Sequence, residues 1–264
     1  MDSDTDDPLA LADANYLQAF REHARWQEPC EIVEEGGVLL MAGANSFPGL
    51  FRNCAVRVDP ITASEEAIER ARRFFAPRGR DCILLARESR DADMERVLQA
   101  QGLEPYGEAP CMLIDAPTAA KPLPAGVHVE QFSHERHVAD AVEINAQAYE
   151  ALKLPGAEAR LYFSRPASLL APSVTGFVAY RDGRPAATAL AIHSGRSAGV
   201  YWVGTVESER GRGLGELCTR LATNAGFERG ALLVTLQASP FGEQIYRRLG
   251  YRTCDRARRY RLRA

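Results

Sequence analysis

No stretch of this chain approaches the ~20 consecutive apolar residues of a membrane-spanning helix, so a membrane protein is not expected. There is no Cys-x-x-Cys pair; the six cysteines are scattered and read as reduced thiols of a cytoplasmic protein, not as a disulfide frame or zinc site. There is no basic excess either. With 32 Lys and Arg against 35 Asp and Glu, the net charge of −3 gives no footprint for nucleic acid. The start, Met1 to Pro8, is acidic where a secretory or transit signal would be basic and apolar, and reads as a disordered tail over residues 1–8. His134-x-x-His137 lacks further ligands and reads as a solvated helix face, so no metal is expected. The one basic run, Arg256 to Arg263, alternates with Ala257, Tyr260 and Leu262 and reads as a final edge strand.

What is present is an alternation of strands and helices long enough for two domains of ordinary size. Leu9–Trp26 has helical periodicity, and Glu31–Ala42 and Asn53–Val58 are β-prone. Thr62-x-x-Glu65 has the form of a capping box before a helix carrying Ile68, Ala71 and Phe75. A strand over Cys82–Ala86, a helix over Asp91–Gln101 and a strand over Cys111–Ile114 follow. Pro117, Pro122 and Pro124 mark residues 116–126 as a linker. The division expected is therefore one domain over 9–115 and another over 127–264. In the second, a helix capped by Ser133 runs to about Tyr149, and strands follow at Thr175–Tyr180, Ala186–His193 and Gly199–Val206. The first two strands are joined by the hairpin signal Asp182-Gly183. Helix Gly211–Arg229, strand Ala231–Leu236 and helix Phe241–Leu249 precede the basic tail.

The most informative stretch is Arg210-Gly-Arg-Gly-Leu-Gly215, between a strand and a long amphipathic helix. A helix start leaves backbone N–H groups unpaired in a field of partial positive charge, and glycines let an anion approach them. The spacing is Gly-x-Gly-x-Gly, not the dinucleotide fingerprint, and the Gly-Lys-Ser/Thr end of a P-loop is missing. A phosphate cradle and a plain helix start remain the two readings of the turn itself.

A shift of 148 residues lays the later parts of the two halves on each other without a gap: Ile83–Ala86 on Ala231–Val234, Gly102-Leu103 on Gly250-Tyr251, and Leu98 on Tyr246. The glycine turn then falls on Ala63-Ser-Glu-Glu-Ala67, where Glu65 and Glu66 would repel an anion. The first half reads as a copy that kept the architecture and lost the anion site.

Arg210-Gly-Arg-Gly-Leu-Gly215 and Ser239-x-x-Gly242-x-x-Ile245-Tyr246-x-x-Leu249-Gly250-Tyr251 together resemble the acyl-CoA motif and the later motif of the GNAT superfamily of N-acetyltransferases. Two positions depart from the family pattern, Ser239 for the usual Asn and Gly242 for the usual Ala. The resemblance covers about Val127 to Ala264, and the first half resembles the degenerate copy of tandem members. It implies an α/β fold of two tandem GNAT-like domains, each a mostly antiparallel mixed (α+β) sheet flanked by helices. It also implies acetyl-CoA as cosubstrate and a primary amine, on a small molecule or a protein, as acceptor. Backbone N–H groups of Arg210, Gly211, Arg212, Gly213, Leu214 and Gly215 would hold the pyrophosphate, and Ser239 would lie among the CoA contacts. Thr205 and Val206 would bond the pantetheine arm, and Tyr246 would protonate the departing thiolate. Glu207 is the first candidate for the base, ahead of Glu209 and His193. Glu207 can equally be a solvated turn carboxylate and Tyr246 a core tyrosine, in which case the chain would bind acyl-CoA without turning it over.

Overall fold

The structure, a computed structural model, describes residues 7–264. The expected tail therefore lies outside the described residues up to position 6. Asp7 and Pro8 instead start helix α1 (Pro8–Trp26), the Asp7 carboxylate accepting from the N–H groups of Leu9 and Ala10 at 3.1 and 3.3 Å. The segment read as one strand from Glu31 to Ala42 is a hairpin, β1 (Glu31–Glu35) and β2 (Val38–Ala42). Gly36 and Gly37, both at positive φ, make its two-residue turn, a signal that was present in the sequence. Then come β3 (Asn53–Arg57), α2 (Ser64–Phe75), β4 (Cys82–Arg87), α3 (Glu88–Ala100) and β5 (Gly107–Ile114). The second half contains β6 (Val127–Gln131), α4 (Glu135–Ala148), α5 (Gly156–Leu161), β7 (Val174–Arg181), β8 (Arg184–Ser194) and β9 (Ser197–Thr205). It ends with α6 (Leu214–Glu228), β10 (Leu233–Gln237), α7 (Glu243–Arg248) and β11 (Arg252–Leu262). Asp182 and Gly183, at φ 50° and 74°, make the β7–β8 hairpin expected from that dipeptide. The α4 cap is His134 rather than Ser133, and His137 is buried, its Nδ1 3.4 Å from the Ser133 N–H.

All eleven strands form one sheet in the order β1-β2-β3-β4-β11-β5-β10-β9-β8-β7-β6. The two halves have exchanged their last strands: β11 pairs with β4 of the first half, and β5 pairs with β10 of the second. At the centre β5 and β11 run antiparallel, with Ala109 opposite Ala257, positions 148 apart in the chain. The 148-residue offset of the repeat seen in the sequence thus recurs in the pairing at the centre of the sheet. The expectation of an edge strand at the basic end is overturned. Ala257, Tyr260 and Leu262 are buried, and the arginines between them meet acids of the first half: Arg256 with Glu108, Arg258 with Glu95, Arg261 with Asp81.

Helices α2, α3, α6 and α7 cover one face of the sheet and α1, α4 and α5 the other, each closing its own apolar core. Helix α1, first in the chain, reaches across to the second half. Asn15 donates to the Ile192 carbonyl and accepts from the Tyr201 hydroxyl, and His23 accepts from the Trp202 indole N–H at 2.8 Å. Burial lowers the His23 pKa to about 3, so the ring is neutral, with Nδ1 2.6 Å from the Ala19 carbonyl and Nε2 free to accept. The linker is strapped to α6, Thr118 and Asn224 exchanging three hydrogen bonds and Lys121 pairing with Glu216. No helix among the described residues is long and apolar enough to cross a membrane. The six cysteines are unpaired with one another.

Candidate functional site

Strands β9 and β10 run parallel but pair only from Ser197–Gly199 against Leu233–Thr235, and then part. An irregularity in β9 accompanies the opening, because one extra residue lies between Tyr201 and Gly204 relative to β8. Trp202 sits there at φ 52°, a left-handed conformation that costs a non-glycine residue about 1 kcal/mol or more. Its ring holds it there, packed on Tyr149, Tyr162 and Phe163 and bonded to His23. The opened strands admit a cavity of about 510 Å³. Val200–Val203 and Gln237–Pro240 line it from the two strands, and Tyr246 lines it from α7. The remaining wall is largely built by the first half, including Phe47, Phe51 and Tyr106, together with Arg259 of the inserted β11.

The glycine turn follows β9, beyond the point where the two strands part, and is not itself on the cavity wall. Gly211 and Gly213 adopt φ 77° and 78°, which only glycine takes readily. Gly213 is the helix N-cap and brings no side-chain bond to it. Among the described residues, no backbone bond engages the six N–H groups from Gly211 to Glu216; the first to be paired is Leu217, to the Gly213 carbonyl. This leaves a run of unshared donors at the start of a 15-residue helix, where the helix field favours an anion. Gly215 lets the helix start close on β9, since a Cβ there would stand 2.8 Å from the Thr205 hydroxyl. Leu214 points inward to the core, while Arg210 and Arg212 stay half-exposed around the turn. Glu209 bridges Arg181 at 2.7 Å and Arg212 at 3.2 Å, which makes it a brace for the turn rather than a free base.

The other expected site residues separate. Val206 spends its N–H on the Ala186 carbonyl, and its carbonyl accepts from the Glu209 N–H, so it has no donor left for a pantetheine arm. Alternation along the strand turns the Thr205 N–H to the opposite side, toward the opening. Ser239 lines the cavity while its hydroxyl accepts from Gly242 N–H at 3.2 Å, tightening the entry to α7. Gly242 has a steric reason to be glycine, since a Cβ would stand 2.7 Å from the Tyr246 ring. Tyr246 is buried, lines the slot, and has its pKa pushed up to about 12 by loss of solvent, so its proton is held at neutral pH. Glu207 lies in a 3-10 turn with its side chain 91% exposed, 4.0 Å from Arg210 and off the cavity wall. His193 stands opposite Ala198 at the far end of β9, where burial first and Arg229 second lower its pKa to about 4, so it is no base for this site. No group of three or more His, Cys, Asp or Glu among the described residues could hold a metal ion.

The first half shows what became of the corresponding place. Thr62 makes no capping box: its hydroxyl donates to the Gly36 carbonyl, and Ala63 is the N-cap of α2. Under the 148-residue shift Thr205 corresponds to Arg57 and Ser239 to Asp91. Where the second half leaves a slot between those positions, Arg57 and Asp91 meet in a buried ion pair at 3.0 Å. Arg87 joins Asp91 at 2.9 Å and Asp13 at 2.6 Å, and Arg57 also holds Asp93 at 2.6 Å, keeping that carboxyl well below the usual range. Salt bridges plug the first slot, a stronger exclusion than Glu65 and Glu66 alone. Replacing Asp91 by alanine would take one of two carboxylate partners from each of two buried guanidinium groups, leaving Arg57 with Asp93 and Arg87 with Asp13. We expect a loss of about 3–5 kcal/mol in urea unfolding, with affinity for acetyl-CoA unchanged in the folded protein.

A strand pair thus parts ahead of a helix start with unshared N–H groups, and Tyr246 stands in the opening. Residues 125–248 match the family model described as an acetyltransferase (GNAT) domain. The whole chain is similar to a GCN5-related N-acetyltransferase from Kribbella flavida, at 25% identity over 95% of both chains with a TM-score of 0.73. It also shares its fold with a tandem GNAT protein from the clavulanic acid biosynthesis pathway (14% identity, 98% of this chain and 96% of that one, TM-score 0.64). A GCN5-related N-acetyltransferase from Sphaerobacter thermophilus is similar at 17% identity, over 89% of this chain and 76% of that one, with a TM-score of 0.60. No curated protein matches the chain. The chain carries a GNAT domain in its second half and has the fold of a tandem GNAT protein.

Proposed function

We propose that the protein transfers the acetyl group of acetyl-CoA to a primary amine, by direct attack within a ternary complex at the second-half site. The observation that carries this reading is the cavity itself. It places Tyr246 and the free edge of β9 on a wall shared with first-half residues. The turn from Arg210 to Gly215 would hold the pyrophosphate, and the Thr205 main chain would bond the pantetheine. In the reaction the amine nitrogen forms a bond to the acetyl carbon and the carbon–sulfur bond breaks. The sulfur takes the Tyr246 proton as negative charge develops on it. The amine must first lose its own ammonium proton, free pKa about 10, and Glu207, outside the cavity, can take it only through water.

The test is a screen of acetyl-CoA with classes of amine, following release of the CoA thiol. Acetyl-dependent thiol release with at least one class supports the reading. Tight acetyl-CoA binding with no release across the whole panel makes the protein a non-catalytic acyl-CoA-binding or sensing module instead.

A further inference from the structure

We propose that Arg259 is the anion anchor of the acceptor pocket, so that the acceptor is a small primary amine that also carries a carboxylate. The inference rests on reading the cavity as the acceptor site. Strand β11 carries five arginines, and four are neutralised: Arg252 by Asp115, Arg256 by Glu108, Arg258 by Glu88 and Glu95, Arg261 by Asp81. Among the described residues Arg259 has no carboxylate partner, and its Nε is buried without a hydrogen bond. It is also the one of the five that lines the cavity.

The strand architecture fixes where that guanidinium lies. Arg259 is opposite Gly107 in the β5–β11 pairing, and a Cβ on Gly107 would stand 2.7 Å from one of its terminal nitrogens. The bare glycine thus gives the guanidinium a place to lie flat across the neighbouring strand. The Tyr106 ring, its centroid 5.6 Å from the guanidinium carbon, lies beside it. Alternation puts Arg259 on the same face as Ala257, which also lines the cavity, and opposite to buried Tyr260.

The unpaired charge of the pocket is positive. Its charged lining residues are Arg259, Lys153 and Glu108. Glu108 is held by Arg256 at 3.2 Å and faces Arg258 at 3.5 Å, whereas Lys153 has no ion-pair partner among the described residues. A half-buried guanidinium with an unused donor edge matches a carboxylate in shape and charge. The rest of the wall is apolar or aromatic, with Phe47, Leu50, Tyr149 and Trp202 prominent. The combination fits an α-amino acid with an apolar or aromatic side chain, or the end of a short peptide bearing one. The pocket is composite, because first-half residues such as Phe47 and Tyr106 wall it together with Tyr246 and Arg259 of the second half.

The experiment uses the full-length chain and two readouts, ligand binding by calorimetry and thiol release from acetyl-CoA. The probes are free amino acids with aromatic and aliphatic side chains, their carboxamides, the matching amines without the carboxyl group, and dipeptides. We expect free carboxylates to exceed their carboxamides by about 10- to 100-fold in affinity and in kcat/KM, the amino acid and dipeptide arms identifying the source. Arg259→Gln should abolish that preference, chiefly through KM, and Arg259→Lys should restore part of it. Acetyl-CoA affinity serves as the folding control in both variants. Equal use of acid and amide by the wild type, or a preference that survives Arg259→Gln, overturns the anchor while leaving acetyl transfer standing. Arg259-dependent binding of carboxylates without thiol release upholds the anchor and removes the transferase reading. Absence of both binding and release with every probe overturns the anchor.

Discussion

Replacing Gly213 by glutamate abolishes acetyl-CoA binding, with affinity falling by about 100-fold or more, while the protein remains folded. Two effects add. Gly213 sits at φ 78° as the N-cap of α6, so a side chain there strains the turn whose N–H groups we assign to the pyrophosphate. A Cβ would meet nothing within 4 Å, so the strain is conformational and amounts to about 1 kcal/mol. The larger effect is charge. A carboxylate beside a bound pyrophosphate is repelled by roughly 4 kcal/mol per pair of unit charges at 4 Å in a surface-like dielectric, and it competes for the same donors. Gly102→Glu is the matched control, because Gly102 has φ 77°, equally open surroundings and no place in the slot. It should lose similar stability in thermal unfolding and leave acetyl-CoA binding intact.

Tyr246→Phe should lower kcat at least tenfold while the dissociation constant for acetyl-CoA barely moves. The hydroxyl makes no hydrogen bond to the described protein groups, whereas the ring packs against Gly242 and Tyr251. Removing the oxygen therefore keeps the packing and deletes only the proton donor, and general acids commonly contribute 10²–10⁴-fold. The pKa of about 12 sets the pH dependence. Its rise means the proton is retained below that value, so Tyr246 adds no alkaline limb to the pH–rate profile in the working range. Activity should climb with pH as the acceptor amine loses its proton. In the phenylalanine variant the climb should persist at a lower level.

Local features of this protein were legible in the sequence, and features made by distant partners were not. The left-handed turn at Gly211 and Gly213 could be read because its conformation is set by adjacent residues. Asp182-Gly183 was readable for the same reason, and Gly36-Gly37 carried the same kind of signal for the β1–β2 hairpin. Strand β11 was misread because alternation of arginine with Ala257, Tyr260 and Leu262 fits an edge or an interior strand equally well. What decides is Asp81, Glu88, Glu95 and Glu108 of the first half, more than 140 positions away. The silent first slot was inferred from Glu65 and Glu66, yet Arg57 and Asp91 close it, and only folding brings those two together. The wall that the first half and β11 add to the cavity was hidden likewise, since Phe47, Tyr106 and Arg259 belong to no shared motif.

The central claim is that one acyl-CoA site works per chain and that it lies in the second half. Calorimetric titration of acetyl-CoA into the full-length protein tests it most directly. The structure predicts a stoichiometry of one per chain, lost entirely in Gly213→Glu. A stoichiometry of two, or undiminished binding in that variant, would contradict it.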